Sequence, residues 1–226
     1  MIKNIVFDFG GILTGLDKDR CVEALRKVGA GRIAYYVDEC KQEDLFHTLE
    51  MGECTVHEFC DEARRQCDFT DEMGVFHKCE TTDEQIVWAW NELITGVPES
   101  KLRIVKQLHD CGKYNVMVLS NTNVVHWQTA AERFFAGEGV ANIDPSLTHN
   151  DFFHRIFLSC DMHLVKPDAR IYERMLSESG CKAEETVFID DSQKNCAAAQ
   201  ALGITTIFDP TYDAWPEKLA ALLVEN

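Results

Sequence analysis

Polar side chains stand directly after several apolar segments of the sequence that have the character of buried strands. An isolated aspartate in such a place usually caps a helix or forms a turn. Ligands of open parallel sheets, however, bind beyond the carboxyl ends of the strands, and several polar strand ends in one chain are hard to explain as caps. The set comprises Asp8, Ser120 and Asn121, Lys166, and the neighbours Asp190 and Asp191.

The neighbours Asp190 and Asp191 indicate a cation site. Two adjacent carboxylates repel each other and usually need a cation to lie together. The alternative is that one of them caps the helix predicted over 192–202 without any metal. Lys166 likewise has an alternative as a solvated loop lysine, although Pro167 restricts the turn that follows it.

The segments 1–16 and 96–226 show the alternation of strand and helix that positions such a site. Short apolar, partly β-branched runs end at Phe7, Leu119, Leu158, Ile189 and Phe208, with amphipathic helical patterns between most of them. Strands that alternate with helices pair in parallel and are covered on both faces. We therefore predict an α/β core, a doubly wound (Rossmann-like) sheet of about five parallel strands.

Residues 17–95 have a different character. Helix-like patterns follow one another over 21–28, 44–50, 56–67 and 83–93 with almost no strand signal, and Thr55 with Glu58 forms a capping box before the third. This stretch is predicted to be an α-helical cap domain inserted after the first strand. The core would then consist of residues 1–16 and 96–226.

The composition describes an acidic protein of 226 residues with a formal net charge of −16. Such a charge repels a nucleic-acid backbone, and no segment is apolar for long enough to cross a bilayer, so neither nucleic acid nor membrane is expected as a partner. The N-terminus lacks the pattern of a signal peptide. The ten cysteines have no framework spacing and are interpreted as reduced thiols of a cytoplasmic protein.

These strand ends together resemble the motifs of the haloacid dehalogenase-like (HAD) hydrolase superfamily, over the whole chain. The order and spacing fit the subfamily with a helical cap between the first and second motifs. Three of the segments, VLSNTN, KPDARIY and VFIDDSQKN, are similar to a bacterial sugar-phosphate phosphatase branch that acts on α-D-glucose 1-phosphate. The four motifs are Phe7–Leu13 (FDFGGIL), Val118–Asn123, Lys166–Tyr172, and Val187–Ser192 with Asn195.

The resemblance implies a role for each residue in the hydrolysis of a small phosphorylated substrate. Asp8 would attack phosphorus and form an aspartyl-phosphate that water hydrolyses. Ser120, Asn121 and Gly11 would bind phosphate oxygens, and Lys166 would offset the charge on Asp8 and the phosphoryl group. Mg²⁺ would be held by Asp8, the Gly10 backbone carbonyl, Asp191 and Asp190, with Asn195 behind them as an orienting residue.

Gly10 departs from the common pattern of phosphatases in this superfamily. They usually carry a second aspartate there, as the general acid for the leaving group, and its loss typically costs about 10²–10⁴-fold in rate for a poor leaving group. The sugar-phosphate branch also has glycine at this position, and an anomeric leaving group needs less help. Asp17, where the chain enters the cap, is a candidate proton donor, but it has an equal claim to be the N-cap of the first cap helix.

Other residues carry weaker signals. Cys54, His57, Cys60 and Cys67 have metal-like spacing, but burial of the cysteines on an amphipathic helix is the better account. The nearby tryptophans Trp88 and Trp90 are interpreted as cap core, with contact to the substrate as an alternative. His126, just after the second motif, is expected either to contact the substrate or to lie exposed.

Three functions remain open from the sequence. A magnesium-dependent phosphatase is the leading one. A dehalogenase would use Asp8 to attack carbon without a metal, which the Asp190–Asp191 pair and the glycines of the first motif disfavour. The third is a catalytically weak, regulatory protein on the same scaffold, which Gly10 motivates.

Overall fold

The structure, a computed structural model, describes residues 1–39 and 45–225, and the side chains of residues 38, 39 and 225 are outside the description. The strands are β1 Asn4–Phe7, β2 Phe69–Thr70, β3 Phe76–His77, β4 Asn115–Ser120, β5 Arg155–Leu158, β6 Thr186–Asp190 and β7 Thr205–Phe208. The α-helices are α1 Lys18–Lys27, α2 Ala34–Glu39, α3 Leu45–Glu50, α4 Val56–Cys67, α5 Asp83–Asn91, α6 Glu99–Asp110, α7 Val124–Thr129, α8 Ser159–Met162, α9 Ala169–Ser179, α10 Gln193–Ala201 and α11 Trp215–Glu225.

Shorter helical turns connect some of these elements. A π-helical turn, Ala130–Phe134, extends α7, so the helix predicted over 124–135 changes type midway. The least patterned stretch of the sequence, 137–151, contains two short 3₁₀ turns rather than a longer element. The 3₁₀ turns are Gly31–Ile33, Gly137–Val140, His149–Asp151 and Ala183–Glu185.

Five of the strands form one parallel sheet in the order β5-β4-β1-β6-β7. The chain runs from β1 first to one side of the sheet and later to the other. The crevice between such diverging connections, at the carboxyl ends of the central strands, is where doubly wound sheets bind ligands. The predicted α/β core is therefore confirmed.

The central strands β4, β1 and β6 are buried on both faces, which explains why their segments are mostly apolar instead of alternating. In β1, Ile5 and Phe7 belong to a hydrophobic cluster that includes Leu102 of α6 and Trp215 of α11. Val6, between them, belongs to a second cluster that also contains residues of α9 and α10. The central strand is thereby enclosed on both sides, and its last residue is held in one position.

Helices α1 to α5 share a hydrophobic cluster of their own, built around residues such as Leu25, Phe46, Phe59 and Trp90. The capping box of Thr55 and Glu58 is present at the start of α4, as predicted. A short antiparallel hairpin, β2–β3, interrupts the predicted all-helical pattern. Position 44, the predicted start of one cap helix, lies outside the described residues.

The two connections between this helical unit and the sheet run side by side. Leu16 and Ile94 form an antiparallel bridge. The Asp17 N–H donates to the Leu93 carbonyl at 2.8 Å, and the Thr95 N–H donates to the Gly15 carbonyl at 3.1 Å. The predicted division at residues 17 and 95, which falls within this pair of bridged segments, stays a prediction.

Contacts between the helical unit and the sheet's ligand edge supplement these connections. The Ser159 hydroxyl accepts from the Thr122 N–H at 2.9 Å and lies 2.8 Å from the Glu50 carbonyl, which closes α3. A Cβ at Gly52 would lie 2.1 Å from the Cys160 carbonyl oxygen, so this position, with φ +64°, admits only glycine. Within the described part of the chain, no helix is both long and apolar enough to span a membrane.

Candidate active site

Asp8 follows the last residue of β1 and begins a tight loop. Its N–H donates to the Ile189 carbonyl at 2.9 Å, which continues the parallel ladder, and its Oδ1 accepts from the Phe9 N–H at 2.6 Å. The loop then closes on itself, because the Gly11 N–H donates to the Thr14 carbonyl at 2.9 Å. The side chain of Asp8 is therefore fixed at the ligand edge of the sheet, and only 8% of the residue is exposed.

Lys166 connects two of the predicted carboxylates. Its Nζ lies 2.9 Å from Oδ2 of Asp8 and 2.7 Å from Oδ2 of Asp190, and it also donates to the Leu119 carbonyl at 3.1 Å. The Lys166 side chain is fully buried. The alternative of a solvated loop lysine is thus not what the structure shows.

The Asp190 carboxylate at the end of β6 is enclosed by donors. Besides Lys166, its Oδ1 accepts from the Ser192 N–H at 2.8 Å and from Asn195 Nδ2 at 3.0 Å. The N-cap of α10 is Ser192, whose hydroxyl accepts from the Asn195 N–H. The two aspartates are therefore not needed as caps, and Asn195 lies directly behind Asp190.

Asp191 completes a group of three carboxylates. Oxygen atoms of Asp8, Asp190 and Asp191 lie within 4.8 Å of one another. Gly11, with φ +73°, makes room for this arrangement, because a Cβ there would lie 2.3 Å from Oδ2 of Asp191. Three carboxylates and one ammonium group leave an excess of two negative charges, and an oxygen-rich set of that charge fits a divalent hard cation.

Burial and mutual repulsion shape the protonation of these groups. Burial, together with the repulsion by Asp190 and Asp191, raises the pKa of Asp8 to about 7, although Lys166 opposes the shift. Burial and the charge of Asp190 also raise the pKa of Asp191. For Lys166 burial would lower the pKa, but the attraction of Asp8 and Asp190 outweighs it and raises the pKa. A bound cation would relieve the same repulsion by favouring the ionised carboxylates.

The second motif supplies a hydroxyl and an amide to the same edge. Ser120 is the last residue of β4 and is buried. The Asn121 side chain holds the backbone of Lys166 from both sides: its Oδ1 accepts from the Lys166 N–H at 2.7 Å, and its Nδ2 donates to the Lys166 carbonyl at 2.9 Å. Asn121 therefore positions Lys166, and the expected contact with phosphate oxygens stays a prediction.

A comparison with protein-family models matches residues 2–203 to haloacid dehalogenase-like hydrolase. The chain belongs to the haloacid dehalogenase-like hydrolase family. The resemblance carried by the four motifs is thereby confirmed, and the Asp8, Lys166 and Asp190 positions described above lie inside the matched range.

Individual HAD relatives give the match more detail. The chain is 33% identical over 226 residues to D-ribitol-5-phosphate phosphatase of Bacteroides thetaiotaomicron, which covers 99% of each chain. A crystal structure of a HAD family enzyme from the same organism, in complex with magnesium and inorganic phosphate, is 34% identical with a TM-score of 0.77 and covers 92% of this chain and 94% of that one. L-2-haloacid dehalogenase from Xanthobacter autotrophicus, with 19% identity and a TM-score of 0.56 over 91% of this chain and 76% of that one, shares the fold alone.

The HAD loop after β1 also contains the two positions that bear on leaving-group chemistry. Gly10 faces the side chain of Leu16, whose nearest atom would lie 3.5 Å from a Cβ at Gly10. Asp17 is the N-cap of α1, and its Oδ1 accepts from the Arg20 N–H at 2.9 Å. The structure thus gives Asp17 its structural role, and the proton-donor role stays a prediction.

His126 is buried at the junction of α5 and α7, so the expectation that it lies exposed is wrong, and the expected contact with the substrate stays a prediction. Its Nε2 lies 3.0 Å from the Trp90 carbonyl, and its ring is tilted by 30° against the Trp90 indole, with the ring centroids 4.6 Å apart. Burial lowers the pKa of His126 to about 4, so the imidazole is neutral. Trp90 is cap core as expected, whereas Trp88 is 43% exposed because it lies on the other side of α5, beneath Lys27.

Two polar side-chain atoms near this junction lack partners. Among the described residues, Trp90 Nε1 and Asn91 Oδ1 are buried without a hydrogen bond. Unpaired buried polar atoms are rare in native proteins and mark sites that water or a ligand completes. Both atoms belong to the end of α5, three to four residues before the segment that pairs with Leu16.

The metal-like spacing of Cys54, His57, Cys60 and Cys67 does not form a metal site among the described residues, in line with the preferred interpretation that the cysteines are buried. Cys60 and Cys67 are buried among the apolar residues of the cap cluster. His57 instead lies 2.7 Å from Asp83, on the surface. The carboxylates of Asp8, Asp190 and Asp191 are the one group with metal-binding geometry found in the described ranges.

Sequence reasoning missed two basic residues that fix the backbone around the site. Lys101 is buried, and its Nζ donates to the Ile12 carbonyl at 2.7 Å, which ties α6 to the loop after Asp8. A lysine one turn before Val105 on the apolar face of an amphipathic helix was the available signal. Arg20 donates to the Glu92 and Ile94 carbonyls at 2.8 and 2.7 Å, and no local pattern announces this contact.

Proposed function

We propose that this chain is a magnesium-dependent phosphatase that hydrolyses a small phosphorylated metabolite through an aspartyl-phosphate on Asp8. The observation that supports it most is the juxtaposition of three carboxylates with the buried Lys166 at the ligand edge of the sheet. A HAD relative of similar length crystallised with magnesium and inorganic phosphate supports the same chemistry.

Asp8, Asp191 and the Gly10 carbonyl would hold Mg²⁺, with Asp190 beside them and Asn195 orienting Asp190. The ion would neutralise charge on the phosphoryl oxygens and keep the Asp8 carboxylate ionised. Residues outside the metal set would bind the remaining oxygens, namely the Ser120 hydroxyl, Lys166 and the backbone of Gly11. The tight loop and the buried lysine fix these groups before the substrate arrives, which is the main requirement of phosphoryl transfer.

The reaction would proceed in two displacements at phosphorus. An oxygen of Asp8 forms a bond to phosphorus as the ester P–O bond breaks, and the leaving alkoxide takes up a proton. Water then attacks the aspartyl-phosphate and releases inorganic phosphate and the free Asp8 carboxylate. Residues 17–95 would act as a cap that excludes bulk water during these steps.

A hydroxylated substrate, a polyol or sugar phosphate, is the proposed substrate class. The named activity of the relative, D-ribitol-5-phosphate phosphatase, supports it, and the motif similarity to the α-D-glucose 1-phosphate branch favours the same class. Trp90 Nε1 and Asn91 Oδ1 add a buried donor and a buried acceptor without protein partners, which a substrate hydroxyl could satisfy.

A metal assay tests the proposed function. The wild type should release phosphate from p-nitrophenyl phosphate with Mg²⁺ and lose this activity in EDTA. Asp8→Asn should lower kcat by at least about 10⁴-fold, and Asp19→Asn, at an exposed position on α1, is the matched control that should retain it. Activity that is indifferent to chelation, or an active Asp8→Asn, would contradict the proposal.

The substrate class is tested separately. D-ribitol 5-phosphate and α-D-glucose 1-phosphate should both give a higher kcat/KM than p-nitrophenyl phosphate. Asn91→Leu should reduce that preference about 10-fold or more, because it leaves a bound hydroxyl unpaired, while it leaves p-nitrophenyl phosphate turnover unchanged. Equal effects on all three substrates would argue against a role of Asn91 in recognition.

The dehalogenase and regulatory alternatives have weaker support. A dehalogenase reaction needs no cation, and the cluster of three carboxylates is then unexplained. Gly10 remains the one observation that favours a catalytically weak protein, and the Asp8→Asn comparison distinguishes that case, since an inactive scaffold would show no difference.

A further inference from the structure

Two cysteines flank the base of the β2–β3 hairpin. In the antiparallel ladder Phe69 is opposite His77, and Thr70 is opposite Phe76. Cys67, the last residue of α4, lies two residues before this ladder, and Cys79 lies two residues after it. The Cys79 N–H donates to Oδ1 of Asp68, the residue next to Cys67, at 2.7 Å, which holds the two cysteine-bearing segments together.

The two thiols are close enough to influence each other. Burial is the main effect that raises the pKa of the Cys67 thiol, and the neighbouring Cys79 thiol adds to the shift. Both residues are present as free thiols, Cys67 buried and Cys79 half-buried. The Cys79 sulfur also lies 3.3 Å from the Thr81 hydroxyl, so its position is set by neighbours on the segment that leads into α5.

The two thiols differ in access. Cys79 is half-buried and lines two open grooves on the cap surface, which it shares with Lys78, Glu80 and Thr81. Cys67 lines one of these grooves as well, but only 5% of the residue is exposed, and it belongs to the hydrophobic cluster of the cap. A small oxidant can therefore reach Cys79 first, with Cys67 in place behind it.

Five other cysteines of the described chain are either buried or bonded within their own helix end. Cys21, Cys60, Cys160 and Cys196 are buried, and burial raises the pKa of each of their thiols to between about 11 and about 12. Cys111 is exposed, and its Sγ donates to the Leu108 carbonyl at 3.1 Å within its own helix end.

We propose that Cys67 and Cys79 form a reversible intramolecular disulfide, a redox modification site on the cap whose oxidant is a small hydroperoxide such as hydrogen peroxide. The Cys79 thiolate attacks a peroxide oxygen, the O–O bond breaks, and one water leaves as the sulfenic acid forms. The Cys67 sulfur then attacks the Cys79 sulfur, the S–O bond breaks, and a second water leaves. The two thiols lose two electrons and two protons, and the peroxide is reduced to two waters.

The disulfide would join the C-terminal end of α4 to the segment that precedes α5. That segment already contacts α1 through the Thr81 hydroxyl, which donates to the Val28 carbonyl, and α4 through Arg64, which donates to the Thr81 carbonyl at 3.0 Å. The disulfide would also restrict the conformations of the unfolded chain, because it closes the loop between residues 67 and 79. This restriction would stabilise the folded cap relative to the unfolded one.

Peptide mapping tests the proposal, because trypsin cleaves after Lys78, between the two cysteines. The full-length reduced protein is treated with hydrogen peroxide, free thiols are alkylated, and the digest is analysed without reduction. We expect peptides 66–78 and 79–101 as one species that is lighter than their sum by two hydrogen atoms and separates on reduction. The oxidised wild type should also melt at a higher temperature than the reduced form.

Two variants control the experiment. Cys79→Ser should lose both the linked species and the rise in melting temperature, and its phosphate release in the reduced state should equal that of the wild type. Cys111→Ser should retain both effects. The proposal is overturned if peroxide leaves the two peptides separate in the wild type, or if Cys67 is found linked to another cysteine such as Cys40.

Discussion

The ammonium group of Lys166 lies 2.9 Å from Oδ2 of Asp8, in a site where less than a tenth of either residue is exposed. The same group lies 2.7 Å from Asp190 and is held in place by the side chain of Asn121 through its backbone. A single cation thus separates the nucleophile from a carboxylate of the proposed metal set. The Lys166 ammonium group thus compensates the buried carboxylates of Asp8 and Asp190, which would otherwise repel each other.

Replacing this cation tests its role. Lys166→Met should lower kcat by about 10²–10³-fold, because it removes a preorganised positive charge from the phosphoryl site. It should also shift the acidic limb of the pH–rate profile to higher pH, since Lys166 lowers the pKa of Asp8. Lys113→Met, at an exposed position, is the matched control. A variant with wild-type kcat would show that Lys166 acts only in folding.

Gly11 tests the packing of the metal set. In Gly11→Ala the new Cβ would meet Oδ2 of Asp191 at 2.3 Å, so the carboxylate must move. We expect the Mg²⁺ concentration for half-maximal activity to rise roughly 10-fold or more. Gly112→Ala has a similar positive φ but nothing within 4 Å of the added atom, and it should destabilise the fold without changing the magnesium requirement. If activity depends on Mg²⁺ concentration in the same way in both variants, the close approach of Gly11 to Asp191 is not needed for metal binding.

The buried His126 should make the folded protein less stable at acidic pH. Its pKa of about 4 in the folded protein lies below the ordinary value of 6.5, so the unfolded chain takes up the proton first as pH falls. The stability it contributes is full above pH 6.5 and is lost progressively toward pH 4, by about 2 kcal/mol at pH 5. The free energy of unfolding, measured by urea denaturation, should therefore fall less between pH 7.5 and pH 5 for His126→Gln than for the wild type. His149→Gln should follow the wild type.

Gly10 tests where the leaving-group proton originates. A Cβ at this position would meet Leu16 at an ordinary 3.5 Å, and Gly10 has no positive φ, so the backbone accepts a residue with a Cβ. Gly10→Asp should raise kcat for an alkyl phosphate relative to p-nitrophenyl phosphate by about 10-fold or more, since only the alkoxide needs a proton. Gly10→Asn, which carries no proton to donate, should not. If both variants leave the ratio unchanged, a donor elsewhere, with Asp17 as the candidate, already serves the wild type.

The core and its ligand edge were predictable because they rest on rules that act along the chain. Runs such as Ile5–Phe7 are apolar throughout only if both faces of the strand are buried, and parallel strands bring their carboxyl ends to one edge. Asp8 and Asp190 could therefore be assigned to one site although they are 182 positions apart in sequence. Capping boxes such as that of Thr55 were equally local and equally visible.

Other features depend on contacts that no local pattern encodes. The β2–β3 hairpin has two-residue strands with exposed side chains, such as Phe69 and Phe76, so neither alternation nor burial marked it. The pairing of the Asn121 amide with the Lys166 backbone joins residues 45 positions apart through a geometry that only the folded loops create. His126 is polar in sequence, and its burial followed from the docking of α5 on α7.

The antiparallel pairing of segments 15–17 and 93–95 has a consequence for how such a protein can change. The chain leaves the sheet and returns to it at almost the same point, as the Leu16–Ile94 bridge shows. Residues 18–92 therefore form an excursion whose two ends are adjacent, and its length does not affect how far apart Asp8 and Lys166 lie in the folded core. An insert of another length between Leu16 and Ile94 would leave the 2.9 Å contact between Asp8 and Lys166 in place.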